Sequence, residues 1–299
     1  MTEQTRRVSR RAVVIGIGTT AAAYGLGLAT PGLIEILKPD PIKDAYDAVL
    51  PPEGNRTTVA FGDSILRLVR AGAVDPAKFA ALYAPRGGLP GWVQRLFEAP
   101  SSEPIMISVV TAPYLLNILW PLGLATKMRF NGDSPLNGKD LSRFASTGGW
   151  RLGRAGTGAL YFNKVEALTL SAEEEARVLA VARNTFRPCC NNSAFLQDCN
   201  HGSAMLGLLE LAAFQGLSET ELFHLAKTMN GYWYPTQYIE MALLFATVND
   251  TPWKDVEPAT AVRAEFASAR GWGLNVHQRL MQTDLYRRLP RQQSAGCAA

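Results

Sequence analysis

Three of the four cysteines in this 299-residue chain lie within eleven residues of one another, and a histidine follows them. Cys189 and Cys190 are adjacent, Cys199 comes nine residues later, and His201 is two residues further on. Thiolate and imidazole are the donors that soft and borderline metal ions select, and four such donors complete a tetrahedral shell. Thiols can also exchange electrons by forming disulfides. The pattern therefore predicts a metal centre or a thiol-redox centre at these four residues.

Three metal cofactors are consistent with these ligand types, and a structural alternative needs no metal. Zinc, copper and an iron–sulfur cluster all remain open, because each accepts cysteine or histidine ligands. Alternatively, Cys189 or Cys190 forms a structural disulfide with Cys199, and His201 is then an ordinary polar residue. Cys297 lies in the C-terminal segment 291–299, which is predicted to be a disordered tail, and no role is expected for it.

The local sequence indicates how the backbone positions the cysteines. Pro188 before the pair and Asn191 and Asn192 after it favour irregular backbone, which adjacent cysteines need in order to point to a common centre. Asp198 is predicted to cap the next helix, so that Cys199 enters its first turn. The free N–H groups of a helix start favour a thiolate there.

The helix that follows Cys199 is apolar nearly all round, from there to about Phe214, and it is predicted to be central in the fold. Asn200 or Asp198 is expected to hydrogen-bond to the metal ligands and orient them. Glu210 is the only acidic residue in this helix. It lies nine residues from His201, about 180° around the helix, and we expect it on an exposed stripe.

Other helix signals predict a mainly α protein with one compact multi-helix domain over residues 57–290. Capping boxes begin at Ser171 and Ser218, and Asp75 precedes a first-turn proline. Residues 128–163 lack periodicity and are predicted to form a long irregular loop, while 30–56 form a Pro-rich linker or wrapping segment. Residues 104–126 are uncharged, but three prolines and Asn117 favour a buried core element over a membrane span.

The net charge of +4 is concentrated near the N-terminus. Four arginines and one glutamate lie in the first 29 residues, and the remaining residues carry 26 basic and 25 acidic side chains. The rest of the chain shows no basic stripe interleaved with aromatic residues, so the sequence gives no indication of a nucleic-acid partner.

The N-terminal 29 residues resemble a twin-arginine export signal. Arg10 and Arg11 follow Ser9 and directly precede the uncharged segment Ala12–Ile34. A second pair, Arg6–Arg7, is an alternative. The resemblance implies the export machinery as a partner and a periplasmic or membrane-anchored location facing the exterior. The small residues Gly27 and Ala29 favour cleavage, although 23 uncharged residues are also long enough for an uncleaved anchor.

A second resemblance concerns two short blocks. The segment 59–65, with Ser64, resembles the first block of the GDSL/SGNH hydrolases, and Asp198-x-x-His201 resembles their closing pair. This resemblance implies a hydrolase with Ser64 as nucleophile, His201 as base and Asp198 orienting the base. A block supplying the oxyanion donors is not found between them.

These observations predict an exported protein of the cell envelope with a Cys/His metal-binding or thiol-redox centre, consistent with an oxidoreductase. The alternatives are a non-catalytic envelope protein with a structural disulfide, and the SGNH-like hydrolase. The sequence does not specify a reaction or a small-molecule substrate, and it links the chain to a membrane only through its N-terminal segment.

Overall fold

The computed structural model describes residues 40–290. The export signal, residues 30–39 of the 30–56 linker prediction, and the 291–299 tail with Cys297 therefore lie outside the described residues. Residues 41–290 belong to one compact unit. Within the described part, none of the helices combines the length and the apolar character needed to cross a membrane.

The mainly α class predicted from the sequence is confirmed. The elements in chain order are α1 (Pro41–Val49), β1 (Asn55–Gly62), α2 (Ser64–Ala71), α3 (Pro76–Tyr83), α4 (Gly91–Glu98), β2 (Ser101–Ile107), α5 (Ala112–Ala125), α6 (Ala145–Gly148), α7 (Ala172–Asn184), α8 (Asn200–Phe214), α9 (Glu219–Trp233), α10 (Pro235–Val248), α11 (Pro258–Val262), α12 (Ala264–Ala267), α13 (Ala269–Trp272), a π-helical turn (Gly273–His277), α14 (Gln278–Leu280) and α15 (Asp284–Arg288).

Three helix starts form where the sequence predicts them. Ser171 and Ser218 both make complete capping boxes, with Glu174 and Glu221 respectively. The Asp75 carboxylate accepts hydrogen bonds from two backbone N–H groups at the start of α3. Each of these caps satisfies donors that a helix start would otherwise leave without partners.

The predicted loop 128–163 is confirmed, with only single helical turns inside it. Residues 40–56, the described part of the predicted linker or wrapping segment, hold α1 and the start of β1. Helix α1 forms because Ile42, Ala45 and Val49 fall on one face and are buried. This face packs beside α10, so the segment is part of the folded unit.

Helices α5 and α8 cross at the centre of the core, where their backbones meet through two glycines. Gly123 of α5 faces Gly207 of α8, and both helices are buried along nearly their whole length. A Cβ atom on Gly207 would lie 2.5 Å from the Gly123 nitrogen and 2.5 Å from the Leu119 carbonyl oxygen. The crossing distance therefore depends on the absence of a side chain at both positions.

We expect Gly207→Ala to lower the free energy of unfolding by about 3 kcal/mol or more, since backbone atoms on both helices would have to move apart. Gly132→Ala is the matched control, because nothing lies within 4 Å of a Cβ at that position. Urea denaturation of the two variants and the parent provides the measurement. Equal stability of the two variants would show that the crossing adapts without cost.

The sequence did not predict the antiparallel pair β1–β2. Val59 and Phe61 of β1 and Ile105 and Ile107 of β2 are buried on the same side. The outer edge of β1 is occupied by the side-chain amide of Gln215. Its Oε1 accepts a hydrogen bond from the Ala60 N–H (2.9 Å), and its Nε2 donates to the Ala60 carbonyl (2.7 Å).

Candidate functional site

The cysteines lie in the loop between α7 and α8, which we call the cysteine loop (residues 185–199). A backbone hydrogen bond from Ala194 to Thr185 closes the base of the loop, and the Cys190 N–H turns back onto the Arg187 carbonyl. The Ala269 N–H of α13 donates to the Cys190 carbonyl, which ties the loop to the C-terminal helices. The irregular backbone predicted around the cysteine pair is confirmed.

The structure brings the four predicted site residues together. Cys189 is central, because its thiol interacts with those of both Cys190 and Cys199 and shifts their ionisation. The His201 ring also lies near enough to Cys199 to favour its thiolate. The Cys189 sulfur also lies 3.1 Å from the Tyr234 hydroxyl. All three cysteines are half-buried and free, so no disulfide joins them within residues 40–290.

A fully buried arginine, which the sequence analysis did not identify, supports this cluster. Arg187 Nη2 lies 2.7 Å from Asp198 Oδ1 and 3.4 Å from the Cys190 sulfur, and Nη1 donates to the Ser193 carbonyl. Asn192 donates to the other Asp198 oxygen at 2.8 Å. The Nε–H of Arg187 has no acceptor among the described residues. The guanidinium is thus held in a fixed orientation, and its Nε–H is a donor that these contacts do not use.

Gly202 makes room for this arginine. A Cβ atom on Gly202 would lie 2.7 Å from Arg187 Nη1 and 2.9 Å from Cζ. The guanidinium therefore lies against the backbone of the first turn of α8. The sequence signal for Arg187 is weak, since an arginine between a helix end and a proline looks like a surface residue.

These neighbours shift the pKa values of the three thiols in opposite directions. The Cys189 thiol lowers the pKa of Cys199 to about 3, with further help from His201 and Arg187 and against the effect of burial. Cys189 likewise lowers the pKa of Cys190 to about 6, again with Arg187 assisting. The interactions with Cys190 and Cys199 raise the pKa of Cys189 well above its ordinary value, and burial adds to the increase.

The helix start differs by one residue from the prediction. Cys199 is the N-cap of α8, with extended backbone, and the helix begins at Asn200. Asp198 does not cap it, because its carboxylate is drawn to the buried Arg187. Asn200 Oδ1 accepts a hydrogen bond from the His201 N–H at 2.9 Å and lies 3.0 Å from the ring Nδ1. Asn200 therefore orients His201, and Asp198 orients Arg187.

The metal prediction gains no support from this geometry. Among the described residues, no group of three or more cysteine, histidine, aspartate or glutamate side chains is arranged to hold a metal ion. The two other histidines lie apart from the cluster: His277 pairs with Glu240 at 2.9 Å, and His224 is exposed. Zinc, copper and an iron–sulfur cluster at the four residues stay a prediction.

The contacts of a hydrolase triad are not formed. Ser64 is buried, and its hydroxyl donates to the Phe61 carbonyl at 2.7 Å. Asp198 binds Arg187 and Asn192, and within residues 40–290 no hydrogen bond joins it to His201. Ser64 therefore has a local structural role at the start of α2.

The expectation for Glu210 is wrong, because this residue is fully buried and not on an exposed stripe. Neither carboxyl oxygen has a hydrogen-bond partner among the described residues. Burial raises the pKa of Glu210 well above its ordinary value, and the nearby Glu175 adds to the increase. Burial therefore favours the neutral form of this carboxyl group in the core.

Comparisons of the chain with protein-family models, with curated proteins and with solved structures give no match. The molecule is thus defined by its own site, a three-cysteine thiol cluster at the N-terminus of a central helix. Arg187, Tyr234 and Gly202 complete it, and each comes from a position to which sequence reasoning gave no role.

Proposed function

We propose that this chain is a thiol-redox protein of the cell envelope whose reacting pair is Cys199 and Cys189. The observation that carries the proposal is the proximity of these two free thiols, one at a helix N-cap and the other in the cysteine loop. The N-cap position and the buried Arg187 favour the thiolate of Cys199, and the thiolate is the nucleophilic form of cysteine. Cys189 supplies the second thiol that a dithiol–disulfide cycle needs.

The cycle requires no group beyond the two cysteines and a disulfide substrate. The Cys199 thiolate attacks one sulfur of that disulfide, so that a mixed disulfide forms and the first substrate thiolate leaves with the proton of Cys189. The Cys189 thiolate then attacks the Cys199 sulfur and releases the second substrate thiolate, which takes a proton from solvent. The products are a Cys189–Cys199 disulfide and a reduced substrate.

The neighbours of the pair favour its reduced form. Arg187 and His201 stabilise a thiolate at Cys199, and this stabilisation is lost when the sulfur enters a disulfide. A dithiol whose reduced form is stabilised is a stronger oxidant than an ordinary pair. The site is therefore suited to running this exchange in reverse, so that the Cys189–Cys199 disulfide oxidises other thiols.

The pair is tested by oxidising the purified protein with diamide, blocking free thiols and mapping disulfides by mass spectrometry. We expect one disulfide joining Cys189 and Cys199, its complete loss in Cys199→Ser, and its retention in Cys297→Ser. A disulfide that forms only through Cys297, or no disulfide at all, would contradict the assignment. If natively purified protein contained stoichiometric metal and the Cys199→Ser variant did not, the site would be a metal site and the redox assignment would be wrong.

The envelope location rests on the arginine pair before the uncharged segment Ala12–Ile34. We expect replacement of Arg10 and Arg11 by lysine to keep the full-length chain in the cytoplasm, because a twin-arginine receptor recognises the guanidinium groups. Replacement of Arg6 and Arg7 by lysine is the matched control and should leave export unchanged. Cell fractionation and immunoblotting measure both. If only the variant with lysine at positions 6 and 7 stayed in the cytoplasm, the export signal would be assigned to Arg6 and Arg7.

A further inference from the structure

We propose that the oxidising substrate of this centre is a small hydroperoxide, which Cys199 reduces and for which Arg187 is the leaving-oxygen donor. The inference rests on the proposed function, since it names the substrate class of the same cysteine pair. It follows from the access to Cys199, from the donors around it and from the charge that each type of substrate develops.

Access favours a small oxidant. Cys199 is half-buried at the end of the cysteine loop, and aromatic side chains pack against the neighbouring His201. The ring of His201 lies 5.1 Å from that of Tyr234 and 5.6 Å from that of Trp233, centroid to centroid. A protein disulfide must align both of its sulfurs with the attacking sulfur and carries a chain on each. A hydroperoxide needs to present only one terminal oxygen.

The donors match the charge that peroxide cleavage creates. When an O–O bond breaks heterolytically, the leaving oxygen takes a localised negative charge, which must be met by preorganised donors. Arg187 is fully buried beside the cysteines, and its Nε–H has no acceptor among the described residues. The salt bridge with Asp198 and the backbone of Gly202 fix its orientation. A disulfide substrate develops its charge on sulfur and has less need of such a donor.

The reaction balances with the groups present. The Cys199 thiolate attacks the terminal oxygen, an S–O bond forms, the O–O bond breaks, and the leaving alkoxide takes the proton of Cys189. Cys199 is then a sulfenic acid, and the hydroperoxide has been reduced to an alcohol, or to water in the case of hydrogen peroxide. The Cys189 thiolate attacks the Cys199 sulfur, an S–S bond forms, and the hydroxide that leaves is protonated by solvent.

The test compares two oxidants on the full chain under anaerobic conditions, hydrogen peroxide and glutathione disulfide, each followed by thiol loss and mass mapping. We expect hydrogen peroxide to oxidise Cys199 about 100-fold faster than it oxidises free cysteine at equal thiolate concentration. In Cys189→Ser the sulfenic acid should accumulate on Cys199 and be labelled by dimedone. Arg187→Lys should slow the peroxide reaction at least about tenfold more than the glutathione reaction.

The possible results separate this inference from the proposed function. In one result, glutathione disulfide produces the Cys189–Cys199 disulfide, but hydrogen peroxide oxidises Cys199 no faster than it oxidises free cysteine. This result would overturn the peroxide substrate and leave the redox pair intact. The peroxide substrate would also be overturned if the Cys189→Ser variant formed no sulfenic acid after peroxide treatment. If neither oxidant produced the disulfide, both the substrate and the redox function would fail.

Discussion

Replacing Glu210 with glutamine is expected to stabilise the protein above about pH 5 and to flatten the dependence of its unfolding free energy on pH. Glu210 is fully buried, its carboxyl oxygens have no partners among the described residues, and its pKa is raised in the folded state. In the unfolded chain the carboxyl ionises near its ordinary value of 4.5. The unfolded state then binds fewer protons than the folded state, so stability falls as the pH rises from there towards the raised pKa.

The size of the effect follows from proton linkage. The loss amounts to at most about 1.4 kcal/mol for each pH unit between the two pKa values, and glutamine, which does not ionise, avoids it. The parent and Glu210→Gln should therefore be about equally stable near pH 4 and differ increasingly towards pH 7. Urea denaturation at several pH values measures this. Glu219→Gln, at an exposed position, is the matched control, and parallel pH profiles for parent and Glu210→Gln would contradict a carboxyl held neutral in the core.

Replacing Arg187 with methionine is expected to lower the free energy of unfolding by about 3–5 kcal/mol, because it removes the partner of the mostly buried Asp198 carboxylate. It also takes away the cation beside the cysteines. The pKa of Cys199 should then rise by about 1 or more, since an opposite charge within a few ångströms favours the thiolate. The thiol would therefore react more slowly at low pH than it does in the parent protein.

Two measurements check the Arg187 prediction independently. Urea denaturation reports the stability, and the rate of iodoacetamide alkylation as a function of pH reports ionisation of the thiol in the folded protein. Arg183→Met is the matched control, because Arg183 is exposed near the end of α7 and its guanidinium lies 5.1 Å from the centroid of the Phe195 ring. An Arg187→Met protein with unchanged stability and an unchanged alkylation profile would show that the guanidinium does not support the cluster.

The sequence predicted those parts of the fold that short-range rules control. Capping residues such as Ser171 and Ser218 bind backbone groups three residues away, so their helices start where local chemistry requires. The convergence of Cys189, Cys190 and Cys199 with His201 also follows from local features, because a proline-interrupted loop returns to a helix start within a few residues. The fold class follows from the sum of such helices.

The sequence could not predict contacts that depend on distant packing. Arg187 is buried because Gly202 leaves space on α8, a relation that its own sequence neighbours do not reveal. Glu210 lies opposite His201 on the helical wheel. That position would be exposed only if one face of α8 were in contact with solvent. Other elements cover this helix on all sides. The strand pair escaped prediction because β1 and β2 have irregular register and weak alternation.

The Gln215 side chain has a consequence for how this molecule meets copies of itself. By binding both polar groups of Ala60, it takes the place of a neighbouring strand and closes that border of the two-stranded sheet. On the opposite border, Pro104 offers no N–H and Glu103 adds an exposed charge. Neither border presents a full ladder of free hydrogen-bonding groups, so the protein can be concentrated without its small sheet seeding edge-to-edge aggregation.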